Sequence, residues 1–383
     1  MEHHNLRDSH SNQVFVLSWL NGYTHTSFAE RREPLRRIDA ISFTFWRTLL
    51  QLLQERYSSF TKARNGRIKK RSSKFSVMGT TSSHWELNHE VSLDQMYKLT
   101  LPDHVAMDFT NKPEFLFVMY GLLCIGAIPA IINFNLISTP LIHCITAANA
   151  KMFVFDSEIA ANVAGIKDVL AVKGIRSICL IDSDGVPPKE DVSWAQSVTA
   201  SSIEAQSSSE RPPDTLRSGP KLVDMEMLMY TSGTTGLPKP AIISFNKMGF
   251  APILFLRWAH FTPKDRLFSC MPLCHATALI LGACLMVRAQ GTYIIGRKFK
   301  TKTFWKEVRE SKATVIQYVG EMCRYLLSTP PSDQDKNHLV RMAVGNGMRP
   351  DVWNRFRYRF GVDTIAELYA ATGHPLDFGL LVC

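Results

Sequence analysis

Residues 230–239 (YTSGTTGLPK) combine the side chains and the spacing that a phosphate-binding loop requires. Gly233 and Gly236 allow backbone turns that a Cβ would forbid, so consecutive N–H groups can converge on anionic oxygens. Hydroxyl and ammonium donors complete the set, from Ser232, Thr234, Thr235 and Lys239. The apolar run before the loop, residues 225–230, is typical of a buried strand. The stretch therefore predicts a polyphosphate-binding loop at the end of a strand.

The spacing of this loop differs from that of the common P-loop of nucleotide hydrolases. That motif places four residues between its glycines and a Ser or Thr after its lysine. Here two residues separate Gly233 from Gly236, and Pro240 follows Lys239. An ordinary P-loop is therefore disfavoured. A flexible Gly/Thr surface turn remains the alternative, although a turn requires neither the lysine nor so many hydroxyls.

Alternating strand-like and helix-like patterns surround the loop. The predicted strands are residues 152–155, 177–181, 225–230, 267–271, 292–295 and 315–319, and the predicted helices are residues 141–150, residues 278–289 and a segment near Phe304. Such alternation indicates βαβ units and a mainly parallel sheet. The predicted fold class is therefore α/β.

Residues 115–132 contain no charged side chain and approach the length of a membrane span. Pro129 would break a continuous helix, and Gly121 and Gly126 also interrupt the run. We therefore interpret the run as a buried helix that ends near Gly126, followed by a strand over residues 128–132. A transmembrane helix is the alternative.

Residues 35–57 place apolar side chains near helical spacing, and residues 62–74 (KARNGRIKKRSSK) contain seven basic side chains and no acidic one. Together they have the composition of a membrane-surface anchor. A packing helix followed by a solvated basic loop explains the pattern equally well. We therefore predict an intracellular protein that can associate with an anionic membrane surface. The endoplasmic reticulum, a lipid droplet, the peroxisome and the plasma membrane all stay open.

Composition divides the chain into four predicted segments. They are an amphipathic and basic segment over residues 1–85, a first α/β lobe over residues 86–182, a Ser/Pro-rich linker or loop over residues 183–220, and a second α/β lobe with the phosphate loop over residues 221–383. The linker is predicted because its apolar density is too low for a core.

The overall composition limits the partners. The 383 residues are 45% hydrophobic and carry a net charge of +10, which suits anionic partners such as nucleotides, CoA or lipid head groups. Aromatic side chains are not interleaved with the basic runs, so nucleic acid is not an expected partner. The eight cysteines form no CxxC pair, which indicates reduced thiols. Cys270, Cys274 and His275 lack a second pair of metal ligands, so core thiols are favoured there over a metal site.

Further segments on both sides of the loop carry a family resemblance. They are VAMDFTNKPEF (residues 105–115), GAIPAIINFNL (126–136), MPLCHATALI (271–280), YVGEMCRYLL (318–327), VGNGMRPDVW (344–353) and ELYAAT (367–372). In this order the sequence resembles the adenylate-forming superfamily. It is most similar to the branch of very-long-chain acyl-CoA synthetases and fatty acid transport proteins.

The resemblance implies the large N-terminal domain of the adenylate-forming, acyl-CoA synthetase-like fold, without its C-terminal lid domain. It also implies ATP-dependent, AMP-forming activation of a long or very long fatty acid, linked to fatty acid uptake. The carboxylate attacks the α-phosphate of ATP, and the thiol of CoA then captures the acyl-adenylate. The implied ligands are ATP or AMP, Mg²⁺, CoA and a fatty acid. Because charge shifts between oxygens, positioned cations and N–H donors would do most of the work.

The same resemblance assigns roles to individual residues. The implied nucleotide-binding residues are Tyr230, Thr231, Ser232, Gly233, Thr234, Thr235, Gly236, Lys239, Gly345, Asn346, Gly347 and Tyr369, and the implied catalytic residues are His275, Thr372 and Lys239. The loop would hold the β- and γ-phosphates, with Mg²⁺ reached by Thr234 through them. Residues 345–347 would form one wall of the adenine site and Tyr369 the other. Without the motif, a lone histidine such as His275 is more often structural. Glu321 and Arg324 indicate a plain helix ion pair.

The sequence also departs from the family pattern. Gly373 stands where the family places a glutamate that ligates Mg²⁺, and no ribose-binding aspartate, hinge or lid lysine follows. Removing one such preorganised group typically costs about 3–4 kcal/mol of transition-state stabilisation. We therefore expect this chain to be impaired as a catalyst. A nucleotide- or lipid-binding pseudoenzyme and an incomplete gene model of an ordinary synthetase are the alternatives.

Overall fold

The computed structural model describes residues 103–181, 188, 190–199, 220–231 and 236–370, and it gives the backbone alone for residues 14–18, 369–370 and 378–382. The predicted amphipathic helix over residues 35–57 and the basic run over residues 62–74 lie outside the described residues. The described strands form two sheets of seven strands each.

The strands follow the apolar runs of the sequence. In chain order they are β1 (Val14–Ser18), β2 (His104–Asp108), β3 (Ile128–Ile132), β4 (Met152–Asp156), β5 (Arg176–Leu180), β6 (Gln196–Val198), β7 (Met225–Thr231), β8 (Lys239–Ser244), β9 (Arg266–Ser269), β10 (Thr292–Gly296), β11 (Val315–Val319), β12 (Met342–Asn346), β13 (Thr364–Ala370) and β14 (Phe378–Val382). Every residue of β3, β4 and β10 is buried. Continuous apolar runs of this kind are typical of strands covered on both faces.

The first sheet has the strand order β6-β5-β4-β2-β3-β7-β8. Its neighbours pair in parallel except at the edge, where β7 and β8 form an antiparallel hairpin. The second sheet has the order β1-β10-β9-β11-β12-β13-β14. Its centre is parallel, and β1 and β14 are antiparallel edge strands.

Helices connect the parallel strands. They are α1 (Pro113–Cys124), α2 (Ser138–Ala147), α3 (Ala160–Ala164), α4 (Lys167–Val172), α5 (Phe245–Trp258), α6 (Ala276–Ala278), α7 (Leu285–Ala289), α8 (Phe304–Glu310), α9 (Gly320–Leu327) and α10 (Pro350–Phe360), with a 3₁₀ turn at Ser157–Ile159 and a π-helical stretch at Leu279–Cys284. α10 begins with a proline, whose missing N–H costs nothing in the first turn. It ends before Gly361, which adopts a positive φ of 65°.

The chain changes direction across the first sheet at β2. The strand that follows β2 in sequence, β3, lies on one side of it, and the next strand, β4, lies on the other side. Polar side chains gather at the carboxyl ends of β2 and β4. Lys112 and Asp156 form a buried ion pair at 2.5 Å there, and the hydroxyl of Thr110 donates to the same carboxylate at 2.7 Å. The pair stabilises the turn into α1 at the junction of the two sheets.

The α/β prediction is confirmed, and several predicted elements match closely. Residues 115–132 contain the end of α1 at Cys124 and then β3, as the interruptions at Gly126 and Pro129 indicated. Among the described residues, no helix has the length and apolar character needed to cross a membrane. Residues 190–199, in the segment predicted as a linker or loop, contain the short strand β6, which pairs with β5.

The predicted helix over residues 278–289 differs from the structure. Helical geometry begins at Ala276, and its centre is the π-helical stretch Leu279–Cys284. Side chains from the second sheet bind carbonyl oxygens of this segment. Gln317 Nε2 donates to Thr277 O at 2.7 Å, and Tyr293 Oη donates to Ala278 O at 3.0 Å. Side chains that insert into a helical ladder cause such departures, and they come from residues remote in sequence.

Candidate active site

The phosphate loop connects the two strands of the β7–β8 hairpin. Thr231, the last residue of β7, pairs with Lys239, the first residue of β8. Gly236 has a φ of 91°, a conformation that residues with a Cβ rarely adopt. Lys239 is exposed, and its side chain has no hydrogen-bond or ion-pair partner within the part of the chain that the structure describes. Ser232, Gly233, Thr234 and Thr235 lie outside that part.

A cavity of about 410 Å³ lies beside the hairpin. Its lining residues are Asn133, Leu136, Met229, Tyr230, Thr231, Gly236, Pro238, Cys274, His275 and Ala276. The fold therefore brings His275 into one cavity with both ends of the predicted phosphate loop. Leu136, Met229 and Ala276 add an apolar part to the wall, so the cavity can accept both a polar and an apolar portion of a ligand.

His275 lies directly before α6, and its side chain is exposed to the cavity. Partial desolvation by the cavity wall lowers the pKa of His275 below its usual value of 6.5. The imidazole is therefore neutral at pH 7 and offers one donor and one acceptor. The preceding Cys274 is a buried thiol, and burial raises its pKa to about 12. Cys274 is therefore protonated at neutral pH and is a wall residue rather than a nucleophile.

Asn111 positions the segment that carries His275. Its amide is buried and makes three hydrogen bonds, two to the backbone of the segment that follows β9 and one to the last residue of β10. Nδ2 donates to Met271 O at 2.8 Å and to Gly296 O at 3.1 Å, and Oδ1 accepts from the N–H of Leu273 at 2.9 Å. The sequence interpretation assigned no role to Asn111. The available signal was its place inside VAMDFTNKPEF, a segment already recognised as typical of the family.

The predicted adenine wall, residues 345–347, consists of the last two residues of β12 and the first residue of the turn that follows. Gly347 has a φ of 73°, and a Cβ added there would meet no atom within 4 Å, so its surface is open. Gly345 is different, because a Cβ would lie 2.1 Å from Tyr318 O. Close packing between β11 and β12 therefore requires a glycine at position 345 whether or not a ligand binds. Between them, Asn346 Oδ1 is buried and has no hydrogen-bond partner within the described residues.

Glu367 holds this turn in place. Its Oε1 accepts from the N–H of Met348 at 3.0 Å, and its Oε2 accepts from the hydroxyl of Tyr318 at 2.5 Å. Burial and the adjacent carboxylate raise the pKa of Tyr318 well above its usual value, so its hydroxyl stays a donor. Glu367 opens the ELYAAT segment, but the sequence interpretation gave it no role.

The remaining predicted residues are placed only in part. The backbone of Tyr369 lies in β13 and pairs with Gly379 of β14, next to the strand that leads into the glycine turn. Thr372 and Gly373 lie outside the described residues. In the part of the chain that the structure describes, no group of three or more His, Cys, Asp or Glu side chains is arranged to hold a metal ion. The Glu321–Arg324 ion pair is present at 2.6 Å on the surface of α9, as predicted.

A comparison with protein-family models identifies the family. The model described as AMP-binding enzyme matches residues 98–373, more than half of the chain. The chain belongs to the AMP-binding enzyme family. The matched range contains the β7–β8 hairpin, the cavity with His275 and the glycine turn after β12.

Similar curated members of the family are fatty acid transport proteins. The very long-chain fatty acid transport protein of Saccharomyces cerevisiae is 37% identical over 321 residues, which are 81% of this chain and 46% of that protein. That of Cochliobolus heterostrophus is 37% identical over 299 residues, 78% of this chain and 42% of that protein. Long-chain fatty acid transport protein 1 of Mus musculus is 35% identical over 270 residues, which are 70% of this chain and 41% of that protein. The chain thus spans a little under half of the length of these relatives.

Solved structures of the family share the fold. ATP-bound MatB from Rhodopseudomonas palustris has a TM-score of 0.60 at 20% identity, with 76% of this chain and 54% of that chain covered. The inhibitor-bound N-terminal domain of FACL13 from Mycobacterium tuberculosis has a TM-score of 0.59 at 19% identity, with 75% of this chain and 67% of that chain covered. The predicted fold, the large N-terminal domain of the adenylate-forming enzymes, is confirmed.

Proposed function

We propose that this chain carries the nucleotide- and acyl-binding part of an ATP-dependent, AMP-forming fatty acid–CoA ligase. The observation that carries the proposal is the 410 Å³ cavity, in which His275 faces both ends of the phosphate loop. The names of the relatives, which are long-chain and very long-chain fatty acid transport proteins, support a fatty acid as the acyl substrate.

The described residues fit a nucleoside triphosphate. The positive φ of Gly236 and the exposed ammonium of Lys239 suit a loop that wraps around phosphate oxygens. Asn346 Oδ1 is a buried acceptor without a partner among the described residues, and the exocyclic amino group of adenine would satisfy it. The open face of Gly347 leaves room for the base beside it.

The proposed roles follow from this arrangement. The loop and Lys239 hold the β- and γ-phosphates and neutralise the charge that pyrophosphate gains as it leaves. Thr234 would be the residue nearest to a Mg²⁺ ion held by the phosphates, and such an ion would supply further charge neutralisation. The neutral imidazole of His275 donates to an oxygen of the α-phosphate or the acyl carboxylate. Thr372 and Tyr369 complete the site on the phosphate and adenine sides.

The fatty acid and CoA occupy the remaining parts of the proposed site. The apolar wall of the cavity, from Leu136, Met229 and Ala276, receives the first carbons of the acyl chain. The thiol of CoA attacks the acyl-adenylate and releases AMP. The basic run over residues 62–74 attracts anionic lipid head groups, which would bring the chain to the membrane surface where fatty acids partition.

Nucleotide binding tests the proposal directly. Isothermal titration calorimetry of the wild-type chain with ATP and Mg²⁺ should give saturable binding. Lys239→Ala should weaken it by roughly ten- to a hundredfold, because a charge-assisted contact to phosphate is worth about 1.5–3 kcal/mol. Lys264→Ala, at another exposed lysine, is the matched control. Equal affinity of wild type and Lys239→Ala would contradict the proposed loop. A parallel assay with oleate and CoA separates a ligase from a nucleotide-binding pseudoenzyme, which would bind ATP without forming acyl-CoA.

A further inference from the structure

Two prolines flank the first residue of β8 in the hairpin that presents the phosphate loop. β8 is the edge strand of the first sheet among the described strands, so only β7 pairs with it. Tyr230 pairs with Pro240, and Pro238 precedes the first residue of β8. Because Pro240 has no N–H, its pair with Tyr230 is one of the antiparallel pairs that exchange no hydrogen bonds, and Pro238 lies beyond the last paired residue, Lys239. The hairpin ladder therefore places no hydrogen bond of its own on Tyr230 or Pro238, the residues on either side of the loop.

Helix α2 supplies the missing attachments. The hydroxyl of Tyr230 donates to Cys144 O at 2.5 Å, on the β7 side of the loop. The Nε2 atom of His143 lies 3.0 Å from Pro238 O, on the β8 side. Because a carbonyl oxygen only accepts, Nε2 carries the proton in this contact. Two consecutive residues of one helix thus hold the two ends of the loop.

The helix itself is firmly placed. The side chains of Leu141, Cys144 and Ile145 are completely buried in the core on one face of the first sheet. Tyr230 packs against the same core cluster, and its hydroxyl donates its hydrogen bond to the backbone of α2. The attachment points therefore move only if the core moves, which makes α2 a rigid reference for the loop.

We infer that His143 and Tyr230 are positioning residues for triphosphate binding, acting as an α2 clamp on the two ends of the phosphate loop. This inference rests on the proposed function of that loop. Neither hydrogen bond involves an atom assigned to the nucleotide. The clamp acts by keeping the loop in its binding conformation before the ligand arrives, so that binding does not have to order it. Loss of the clamp therefore weakens the contacts to the β- and γ-phosphates, which the loop holds. It leaves the contacts to the adenosine and the α-phosphate unchanged.

The test compares ATP with AMP. Titrations of the full chain with ATP plus Mg²⁺ should show a three- to tenfold loss of affinity for His143→Ala and for Tyr230→Phe, the range that one hydrogen bond provides. The affinity for AMP should change less than about twofold, since AMP lacks the phosphates that the loop holds. His143→Gln keeps an N–H near the Nε2 position and should restore most of the ATP affinity. A double variant should lose less than the product of the single losses, because either one already frees the loop.

His104→Ala is the matched control. His104 Nδ1 makes a similar contact at 2.5 Å with Ala148 O, just beyond the end of α2, but it does not reach the loop. Thermal unfolding of each variant checks that the fold persists. The inference is overturned if wild type binds ATP and His143→Ala and Tyr230→Phe bind it equally well. It is also overturned if the clamp variants lose AMP affinity in parallel, or if His104→Ala reproduces their ATP loss. Absence of ATP binding by wild type would overturn the proposed function and the clamp together.

Discussion

The buried amide of Asn111 should be among the most sensitive single positions for stability. Asn111 is 2% exposed and joins the segment after β2 of the first sheet to the segment after β9 and to the end of β10 of the second through three hydrogen bonds. In Asn111→Ala, the N–H of Leu273 and the carbonyl oxygens of Met271 and Gly296 lose this partner. An unsatisfied buried group costs about 1–3 kcal/mol. Because relaxation and other partners offset part of the sum, we expect a loss of about 3–4 kcal/mol.

Urea unfolding followed by circular dichroism and tryptophan fluorescence measures this loss. The midpoint for Asn111→Ala should fall with little change in the slope, since the surface exposed on unfolding is nearly the same. Asn337→Ala is the control, because Asn337 is exposed and, within the described part of the chain, its side-chain amide bonds only to Gln334, at 2.6 Å. That variant should stay within about 0.5 kcal/mol of wild type. A loss below about 1 kcal/mol for Asn111→Ala would show that the three bonds do not hold the two sheets together as argued.

Two further predictions concern the carboxylates of Asp265 and Glu367. Burial raises the pKa of Asp265, but hydrogen bonds from Arg341, Thr262 and Thr314 outweigh burial and leave this pKa below its usual value. The Asp265 carboxylate therefore contributes stability above about pH 4, and this stability is lost as the pH falls through the lowered pKa of the folded state. The free energy of unfolding should therefore decline below pH 4 by a smaller amount in Asp265→Asn than in wild type, and equal declines in acid titrations would contradict this assignment. Glu367→Ala should weaken AMP binding three- to tenfold, because Met348 and Tyr318 lose the carboxylate that fixes the glycine turn. Calorimetry with AMP measures this change, and an unchanged affinity would show that the turn is not part of the adenine site.

The sequence predicted the helices and strands whose ends are set by residues within the element or directly beside it. Residues 315–319 were predicted as a strand and are β11, because a short, mainly apolar run is typical of a strand covered on both faces. The break between α1 and β3 follows from Gly126, which adopts a positive φ of 79°, and from Pro129, which lies in the extended conformation of β3. The π-helical stretch Leu279–Cys284 could not be predicted in this way, since Gln317 Nε2 reaches Leu281 O within it, at 3.3 Å, and Tyr293 binds Ala278 O just before it, both from remote strands.

The residues of the candidate site also divide into those that the sequence could identify and those that it could not. Residues with distinctive chemistry in a short motif, such as Gly236, Lys239 and His275, could be named from the sequence, and three-dimensional structure brings Gly236 and His275 into one cavity. Residues that act by supporting others could not. Glu367 and His143 are ordinary polar residues in sequence, and their importance lies in which backbone groups the fold places against them. A single sequence contains no local signal for such contacts.

The prolines beside the phosphate loop also affect how the protein behaves in a crowded solution. An exposed edge strand can recruit a strand from another molecule and start aggregation. At the start of β8, Pro238 and Pro240 have no amide to offer such a strand, and Lys239 places a charge between them. The two prolines that flank this lysine therefore also protect this edge of the described sheet from self-association, in a region that must stay accessible to ligands.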